Sequence, residues 1–257
     1  MDVYRAARSA PSSPSSWAPD APLIWRVIMR HHPPSSVWVI CPAYNEEPTI
    51  ARVVTSVRSS GLNIVVIDDG SIDRTRDHAA TAGAAVVRHP INLGQGAALK
   101  TGIDYALSQG ADILVTFDAD GQHRVSDVSA LLDAIARERA DFALGSRFLG
   151  RSPNVPIARR ILLWGATLFT TMTTGLRLTD THNGLRAFTR RGAAALQLRQ
   201  NRMAHASEIL ADIAASGRHY VEIPVTIDYT AYSLAKGQHG GDFVMILLDL
   251  FARRLHR

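Results

Sequence analysis

The sequence predicts an α/β fold with a mostly parallel central sheet flanked by helices. Up to residue 160, short apolar runs alternate with stretches of helical periodicity, and this alternation is typical of βαβ units. Several of the apolar runs end in Asp, Gly or Ser, which are poor strand formers and therefore mark the strand ends. The chain has 257 residues, of which 46% are hydrophobic, so it can bury the core of one sizeable domain.

Composition divides the chain into three parts. Residues 1–36 contain a stretch rich in Ser, Pro and Ala and are predicted to form a disordered or arm-like segment. Residues 37–240 carry the strand and helix patterns and are predicted to form the folded domain. Residues 241–257 combine an apolar stripe with arginines, so we expect a C-terminal amphipathic basic helix there.

Each element of the alternating region has its own signal. Runs rich in apolar residues predict parallel strands at residues 37–40, 64–67, 85–88, 113–117 and 142–145. Helical periodicity predicts the connecting helices, at residues 49–59, 73–82, 92–107 and 131–139. Ser71 or Asp73 is expected to cap the second of these helices.

Past residue 160 the alternation stops. Residues 161–178 are apolar with interspersed Thr, and we expect an amphipathic helix that lies on a membrane surface or on the domain core. Residues 204–215 are predicted to be helical, and residues 220–229 to form a late strand pair. This C-terminal part is therefore expected to be an added helical region beside the sheet.

The composition also excludes several classes of protein. The single cysteine, Cys41, rules out a disulfide framework and fits a reducing compartment. Neither a signal-peptide pattern nor a run of about twenty apolar residues is found, so no spanning helix is expected. The formal net charge of +5, with arginines crowded between residues 147 and 191, suits phosphorylated small molecules or anionic lipid. Nucleic acid is not expected as a partner, because aromatic-basic interleaving and helix-turn-helix patterns are both missing.

Two carboxylates follow the predicted strand at 113–117. Asp118 and Asp120 are two residues apart, so in extended backbone their side chains point to the same side. The carboxyl ends of parallel strands form the ligand-binding edge of an open α/β sheet. Two carboxylates with Gln122 as a further oxygen suit Mg²⁺ or Mn²⁺ that also contacts substrate phosphates. The alternative for such a pair taken alone is a solvated turn.

A second pair, Asp68 and Asp69, ends the strand at 64–67, and two such pairs on neighbouring strands suggest a nucleotide with its metal. The stretch from Gly94 to Gly96 resembles two nucleotide-binding motifs but fits neither. Leu99 stands where a dinucleotide fingerprint needs glycine, and also where a phosphate-binding loop needs glycine before its lysine.

Six motifs occur together in one order and carry a resemblance to a known family. They are Pro42-Ala-Tyr-Asn-Glu46, Asp68-Asp-Gly-Ser-x-Asp-x-Thr75, Asn92-x-Gly-x-Gly96, Asp118-Ala-Asp-Gly-Gln-His123, Gly145-Ser-Arg-Phe148 and Asp180-x-x-Asn-Gly-Leu-Arg-Ala-Phe188. In this set the chain resembles glycosyltransferase family 2, and in particular its dolichyl-phosphate mannose synthase and polyprenyl-phosphate glycosyltransferase branch. The resemblance implies a GT-A fold, a nucleoside diphosphate sugar donor and inversion at the anomeric carbon.

The resemblance also implies roles for individual residues. The residues implied to line the nucleoside, ribose and diphosphate are Pro42, Tyr44, Glu46, Ile67, Asp69, Asp118, Ala119 and Asp120. Those implied to hold the Mg²⁺ or Mn²⁺ are Asp118 and Asp120, with Gln122 as a possible third ligand. Arg147 and Arg159 are implied to meet the acceptor phosphate, and Lys236 to close over the donor diphosphate. The implied catalytic residues are therefore Asp120, Arg147 and Lys236.

The resemblance does not extend to the choice of donor. Mannose synthases have an arginine shortly before the lysine of the C-terminal loop, and Thr230 stands at that place here. The expected acceptor is a polyprenyl phosphate, reached by a protein bound peripherally to the cytoplasmic face of the membrane, with a small membrane protein as a possible partner.

Three other functions remain open on sequence alone. A soluble glycosyltransferase acting on a sugar hydroxyl would need a base such as Glu208 or Asp180. A nucleotidyltransferase would also use an Asp-x-Asp pair but needs a glycine-rich loop early in the chain. A nucleotide-sugar binding module without catalytic activity is the third alternative, but it would not need the intact carboxylate pair Asp118 and Asp120. His123 is expected to be structural, and His205 and Glu208 share one helix face.

Overall fold

The computed structural model describes residues 36–151, 165, 167, 168, 170–200 and 205–228. Residues 1–35 of the predicted N-terminal segment 1–36, and all of the predicted segment 241–257, lie outside this part of the chain. Within the predicted helix at 161–178, residues 161–164, 166 and 169 lie outside it, and the described residues up to 174 are helical. No helix among the described residues has the length and apolarity that crossing a membrane requires.

The described elements alternate as the sequence predicts. The strands are β1 Val37–Ala43, β2 Asn63–Asp68, β3 Ala85–Arg88, β4 Ile113–Thr116, β5 Phe142–Arg151, β6 Arg186–Thr189 and β7 Tyr220–Thr226. The helices are α1 Ile50–Ser59, α2 Thr75–Thr81, α3 Gln95–Ser108, α4 Val125–Glu138, α5 Arg190–Ala193 and α6 His205–Ser216.

The seven strands form one sheet in the order β3-β2-β1-β4-β6-β5-β7. Six of them run in the same direction, and β6 is antiparallel to both of its neighbours. The prediction of a mostly parallel sheet flanked by helices is therefore confirmed. The strand order reverses between β1 and β4, so the carboxyl ends of these two strands border the crevice where α/β proteins bind ligands.

Helices cover both faces of the sheet because side chains alternate along each buried strand. Val39 and Cys41 on β1 belong to a core cluster that α1 and α4 also line. Ile40, between them, belongs to a second cluster on the opposite face, which contains residues of α3 and α6. The central strands are therefore apolar on both sides, and the polar side chains of this region gather in the loops at the strand ends.

Two predicted elements differ from the structure. Helix α4 begins at Val125 rather than at residue 131, because Val128 extends the buried stripe one turn toward the N-terminus despite its polar neighbours. The late strand pair at 220–229 is wrong for the described residues, which form the single strand β7. It lies at the edge of the sheet, where Pro224 is tolerated because an edge strand needs only half of its N–H groups.

Substitution of Gly102 tests the packing of α3 on the sheet. A Cβ at this position would overlap Ile40 Cγ2 and lie 3.3 Å from Ile67 Cγ1. We expect Gly102→Ala to lower the free energy of unfolding by about 1–3 kcal/mol, as overpacking does, although alanine favours a helix by about 1 kcal/mol. Urea denaturation measures the change. Gly165→Ala is the control, since among the described residues no heavy atom outside its own helix lies within 4 Å of its Cβ. Equal stability of the two variants would contradict this account.

Candidate active site

The candidate site lies at the carboxyl ends of β1, β2 and β4. Strand β1 is paired with β2 on one side and with β4 on the other. The two carboxylate pairs therefore flank the end of β1, with Asp68 and Asp69 on one side and Asp118 and Asp120 on the other. The three loops that leave these strands form the walls of the site.

Backbone alternation exposes the carboxylates of the Asp-x-Asp pair. Phe117 and Ala119 are buried in the core, whereas Asp118 and Asp120 are only partly buried. His123 Nε2 donates a hydrogen bond of 2.9 Å to Asp118 Oδ2. This bond confirms the prediction that His123 has a structural role. The backbone N–H of Gln122 donates to Asp120 Oδ1 at 3.0 Å, and this contact closes the turn.

The two carboxylates differ in their tendency to ionise. Burial, followed by the negative charge of Asp118, raises the pKa of Asp120 to about 6. Burial also opposes ionisation of Asp118, but the hydrogen bond and charge of His123, with the charges of His205 and Arg186, hold its pKa below the usual value. The pair thus concentrates negative charge that its surroundings only partly neutralise.

A hard divalent cation fits this pair. Carboxylate oxygens from Asp118 and Asp120 and the amide oxygen of Gln122 are donors that Mg²⁺ and Mn²⁺ accept. Within the part of the chain that the structure describes, no group of three or more His, Cys, Asp or Glu side chains is arranged to hold a metal. A cation held by two carboxylates would keep positions for water and phosphate oxygens.

The loop before β6 covers Asp118. Thr116 Oγ1 donates to the carbonyl of Gly184 at 2.6 Å and holds this loop against the end of β4. A Cβ on Gly184 would lie 2.6 Å from Asp118 Oδ1 and 2.7 Å from its Cγ, so only glycine leaves room for the carboxylate. Gly184 was part of a recognised motif, but its contact with Asp118 joins positions 66 residues apart and has no signal in the sequence.

The loop after β1 is bonded to the loop after β2. The backbone N–H groups of Asn45, Glu46 and Glu47 donate to Ser71 Oγ (3.0 Å), Thr75 Oγ1 (2.7 Å) and Asp73 Oδ2 (3.1 Å), respectively. The prediction that Ser71 or Asp73 is the N-cap of α2 is wrong, because Arg74 occupies that position and makes no side-chain capping bond. Asp73 Oδ1 accepts from the N–H of Thr75 at the start of α2, but Ser71 serves the neighbouring loop instead.

The loop after β2 also donates hydrogen bonds to the loop after β1. Asn45 Oδ1 accepts from the N–H of Ile72, and Glu47 Oε2 accepts from the N–H of Arg74. Among the residues implied to line the nucleoside, Tyr44 is exposed, whereas Glu46 and Ile67 are buried, and Pro42 is half-buried. All of them lie along the ends of β1 and β2, so the structure brings this group together.

Asp69 is hydrogen-bonded to the segment between β3 and α3. Its carboxylate accepts hydrogen bonds from His89 Nδ1 (2.6 Å), the N–H of Leu93 (3.0 Å) and the N–H of Gly94 (2.7 Å). The loop before α3 is therefore fixed to the end of β2. The contact of Asp69 with a base or ribose stays a prediction.

Arg147 is buried beside Asp180. Its Nε donates to Asp180 Oδ2 at 2.6 Å, and one Nη donates to the carbonyl of His182 at 2.9 Å. Only 8% of the Arg147 side chain is exposed, so its role toward a phosphate stays a prediction. Arg159 and Lys236, the other two cationic residues of the predicted site, lie outside the described residues.

Glu208 holds a loop in place. Its two carboxylate oxygens accept from the N–H groups of Arg199 (2.9 Å) and Gln200 (2.8 Å). His205, on the same helix face, is buried, and its charge contributes to the lowered pKa of Asp118. Asp180 is likewise engaged, since it accepts from Arg147 and, through Oδ1, from the N–H of His182.

We call residues 118–124, which carry the predicted metal ligands, the metal loop. A pair of charged side chains ties this loop to the end of β7. Arg124 Nε and Nη2 donate to the two oxygens of Asp228 at 2.6 and 2.7 Å. The N–H of Asp228 donates to the carbonyl of Gln122 at 2.9 Å, and His123 forms a bridge with Ile227. The sequence analysis missed this connection because opposite charges 104 residues apart have no local pattern.

The comparisons with known proteins agree with this geometry. The model of glycosyl transferase family 2 matches residues 38–195. The chain belongs to glycosyltransferase family 2. Like other members, it is an enzyme that transfers a sugar, and the resemblance found in the sequence motifs is confirmed.

Two relatives place this glycosyltransferase in the polyprenyl-phosphate branch of family 2. It is 32% identical over 241 residues to the UDP-N-acetylglucosamine–dolichyl-phosphate N-acetylglucosaminyltransferase of Methanococcus voltae, covering 85% of this chain and 94% of the relative. It is also 32% identical over 204 residues to the undecaprenyl-phosphate mannosyltransferase of Micrococcus luteus, covering 74% and 82%.

A solved structure confirms the GT-A fold of this glycosyltransferase. The glucosyl-3-phosphoglycerate synthase of Mycobacterium tuberculosis, in complex with Mg²⁺ and uridine diphosphate, matches with a TM-score of 0.66 at 19% identity. The match covers 91% of this chain and 85% of the other. At this level of identity the likeness concerns the fold alone.

We predict that Gly184→Ala weakens cation binding, because the added methyl group displaces the Asp118 carboxylate. The affinity for Mn²⁺ in the presence of a nucleoside diphosphate, measured by calorimetry, is expected to fall about 10- to 100-fold, as when the support of a metal ligand is lost. Asp104→Asn, which removes an exposed carboxylate far from the site, serves as the control. Wild-type affinity in a folded Gly184→Ala variant would show that the carboxylate does not depend on this glycine.

We also predict that Arg124→Ala loosens the metal loop. The bond to Asp228 is exposed, so the expected loss of Mn²⁺ affinity is modest, about 2- to 5-fold. Arg137→Ala is a matched control, because it breaks an exposed ion pair with Asp133 on α4 that does not touch the loop. Equal Mn²⁺ affinities of the two variants in the same titration would contradict a role for the pair.

Proposed function

We propose that this family 2 glycosyltransferase is inverting and metal-dependent, and that it transfers a sugar from a nucleoside diphosphate sugar to a polyprenyl phosphate at the membrane surface. The observation that carries the proposal is the pair Asp118 and Asp120 at the point where the strand order reverses. Its concentrated negative charge suits a cation that bridges to a diphosphate. The family and the named relatives support the same reaction class.

The chemistry of the donor explains the need for a cation. As the bond between the sugar and the diphosphate breaks, negative charge builds up on the leaving group. A bound Mg²⁺ or Mn²⁺ would neutralise part of that charge. Asp118, Asp120 and Gln122 are the residues proposed to hold it, and Lys236 is proposed to reach the same diphosphate from the C-terminal loop.

The nucleoside is proposed to lie along the ends of β1 and β2. Tyr44 is exposed there and offers an aromatic ring, and Pro42 is half-buried beside it. Ile67 is fully buried, so it is proposed to support this wall from the core. Glu46 and Asp69 offer acceptors for base or ribose hydroxyl groups. Because the two loops are bonded to each other, this wall needs little ordering when the donor binds.

The acceptor side favours a phosphate over a sugar hydroxyl. A phosphate monoester is largely ionised at neutral pH, since its second pKa is about 6, and it attacks without a strong base. A hydroxyl acceptor would need a carboxylate base, but the two candidates, Asp180 and Glu208, are both engaged in hydrogen bonds within the protein. Arg159 is proposed to contact the acceptor phosphate, with Arg147 supporting the loop around it.

The remaining parts of the proposal concern location. A polyprenyl phosphate resides in the bilayer, so the enzyme is proposed to bind peripherally to the cytoplasmic face through residues 161–178, reversibly because a single amphipathic segment binds weakly. A small membrane partner protein is a further prediction. The relatives differ in the sugar that their names give, so the donor base and sugar are left to experiment.

We predict that Asp120→Asn lowers sugar transfer about 100- to 1000-fold, the loss typical of one removed electrostatic contact in a transition state. The assay follows labelled sugar from a panel of nucleoside diphosphate sugars with Mn²⁺ or Mg²⁺. Asp104→Asn is the control and should keep wild-type activity. Full activity of a folded Asp120→Asn variant would refute the metal-dependent mechanism.

The same assay identifies the acceptor. After incubation with polyprenyl phosphate, extraction into organic solvent should carry the label into the lipid phase, and treatment with a chelator should abolish this transfer. If the donor is consumed while the label remains in the aqueous phase, polyprenyl phosphate is not the acceptor of the transferred sugar.

A further inference from the structure

Most of the large apolar side chains that the described part of the chain leaves exposed lie near the carboxyl ends of the parallel strands. The exposed side chains are Tyr44, Ile72, Ile91, Leu93, Leu149, Leu168 and Met172. The first four belong to the loops after β1, β2 and β3, and Leu149 lies in the second half of β5. Leu168 and Met172 lie in the connection from β5 to β6.

Three of these side chains belong to two neighbouring loops on the donor side. Ile72 is 90% exposed, Ile91 is 64% exposed and Leu93 is 37% exposed. The two loops touch, since a Cβ on Gly70 would lie 2.5 Å from the carbonyl carbon of Ile91. We call residues 70–73 and 90–93 the donor-side rim.

The donor-side rim is ordered by hydrogen bonds, so the exposure of its apolar side chains is not a result of a loose backbone. The N–H of Ile72 donates to Asn45 Oδ1, and the N–H of Leu93 donates to Asp69 Oδ1 at 3.0 Å. Because the two loops touch, these side chains form an apolar patch on an ordered backbone, and an exposed apolar patch marks a surface that contacts something apolar.

The distribution of these side chains favours a flat, extended partner. From β3 to β5 the sheet spans five strand spacings, or about 24 Å, and apolar side chains occur at both ends with the acidic site between them. A protein partner would be expected to meet one central apolar cluster instead. Scattered apolar side chains beside exposed cations such as Arg74 and Arg76 are typical of contact with a bilayer that contains anionic lipid.

We propose that the donor-side rim inserts Ile72, Ile91 and Leu93 into the interface of a lipid bilayer, so that the carboxyl edge of the sheet faces the membrane. The proposal rests on the proposed function in one respect, because a lipid acceptor gives the enzyme a reason to meet a bilayer. It adds a contact on the donor side to the contact already proposed for residues 161–178. With both sides in contact, an acceptor phosphate at the height of the lipid headgroups would lie level with the acidic pair.

Site-specific labelling tests the contact in the full-length protein. Cys41 is the only cysteine and is fully buried, so a thiol-reactive environment-sensitive dye attaches to an introduced cysteine. The test variant is Ile72→Cys. The control is Gln109→Cys, an exposed position after α3 at the opposite edge of the sheet. With vesicles of phosphatidylcholine and phosphatidylglycerol, the dye at 72 should shift to the blue and be quenched by brominated lipid, whereas the dye at 109 should not change.

A second variant measures the energetic contribution. Ile72→Ser combined with Ile91→Ser should lower the partition coefficient for these vesicles about 10-fold or more, since two apolar side chains are lost from the contact. Sugar transfer to a short-chain, water-soluble prenyl phosphate should remain at the wild-type rate. If the wild-type protein fails on that substrate, the proposed function is wrong, whatever the vesicles show.

Three results would overturn the proposed contact. The first is binding of the protein to vesicles without a response of the dye at 72, which would assign binding to another surface. The dye at 72 could already be shifted to the blue without vesicles, which would mean that the rim is covered by this chain or a second copy. Unchanged partitioning of the folded double variant would likewise remove the donor-side rim from the membrane contact.

Discussion

The repulsion between two neighbouring carboxylates is the constraint on which the candidate site depends. Asp118 and Asp120 are held on the same side of the backbone because Ala119 between them is anchored in the core. Burial and like charge raise the pKa of Asp120 to about 6, while His123 keeps Asp118 ionised. A folded protein maintains such an arrangement at a cost in stability, and a divalent cation is the simplest group that relieves it.

The loops around this pair are rigid because side chains satisfy their backbone groups. At the end of a parallel strand the ladder of hydrogen bonds stops, so the N–H groups of the following loop need other partners. Ser71 and Thr75 provide them for the loop after β1, and Asp69 for the loop before α3. Ser71, Thr75 and Asp69, whose motifs suggest contacts with a ligand, thus also hold the loops of the site in position.

The acceptor side and the apolar rim point to one setting for the reaction. The engagement of Asp180 by Arg147 and of Glu208 by two backbone N–H groups leaves these carboxylates poorly suited to act as bases. A phosphate acceptor has no need of such a base. The exposed apolar side chains of the donor-side rim lie near the carboxyl ends of the parallel strands, where the acidic pair also lies. A lipid phosphate and the membrane that carries it can therefore approach the same side of the sheet.

The sequence by itself determined the fold class, the order of the central elements and the position of the Asp-x-Asp pair, because apolar periodicity and strand-ending residues act locally. Only the tertiary structure decided that Gly184 packs on Asp118, that Arg124 meets Asp228, and that Arg147 is buried in an ion pair. The strand pair expected at 220–229 failed for the same reason. Pairing partners and long-range contacts depend on which distant segments become neighbours, and a single sequence has no local signal for that.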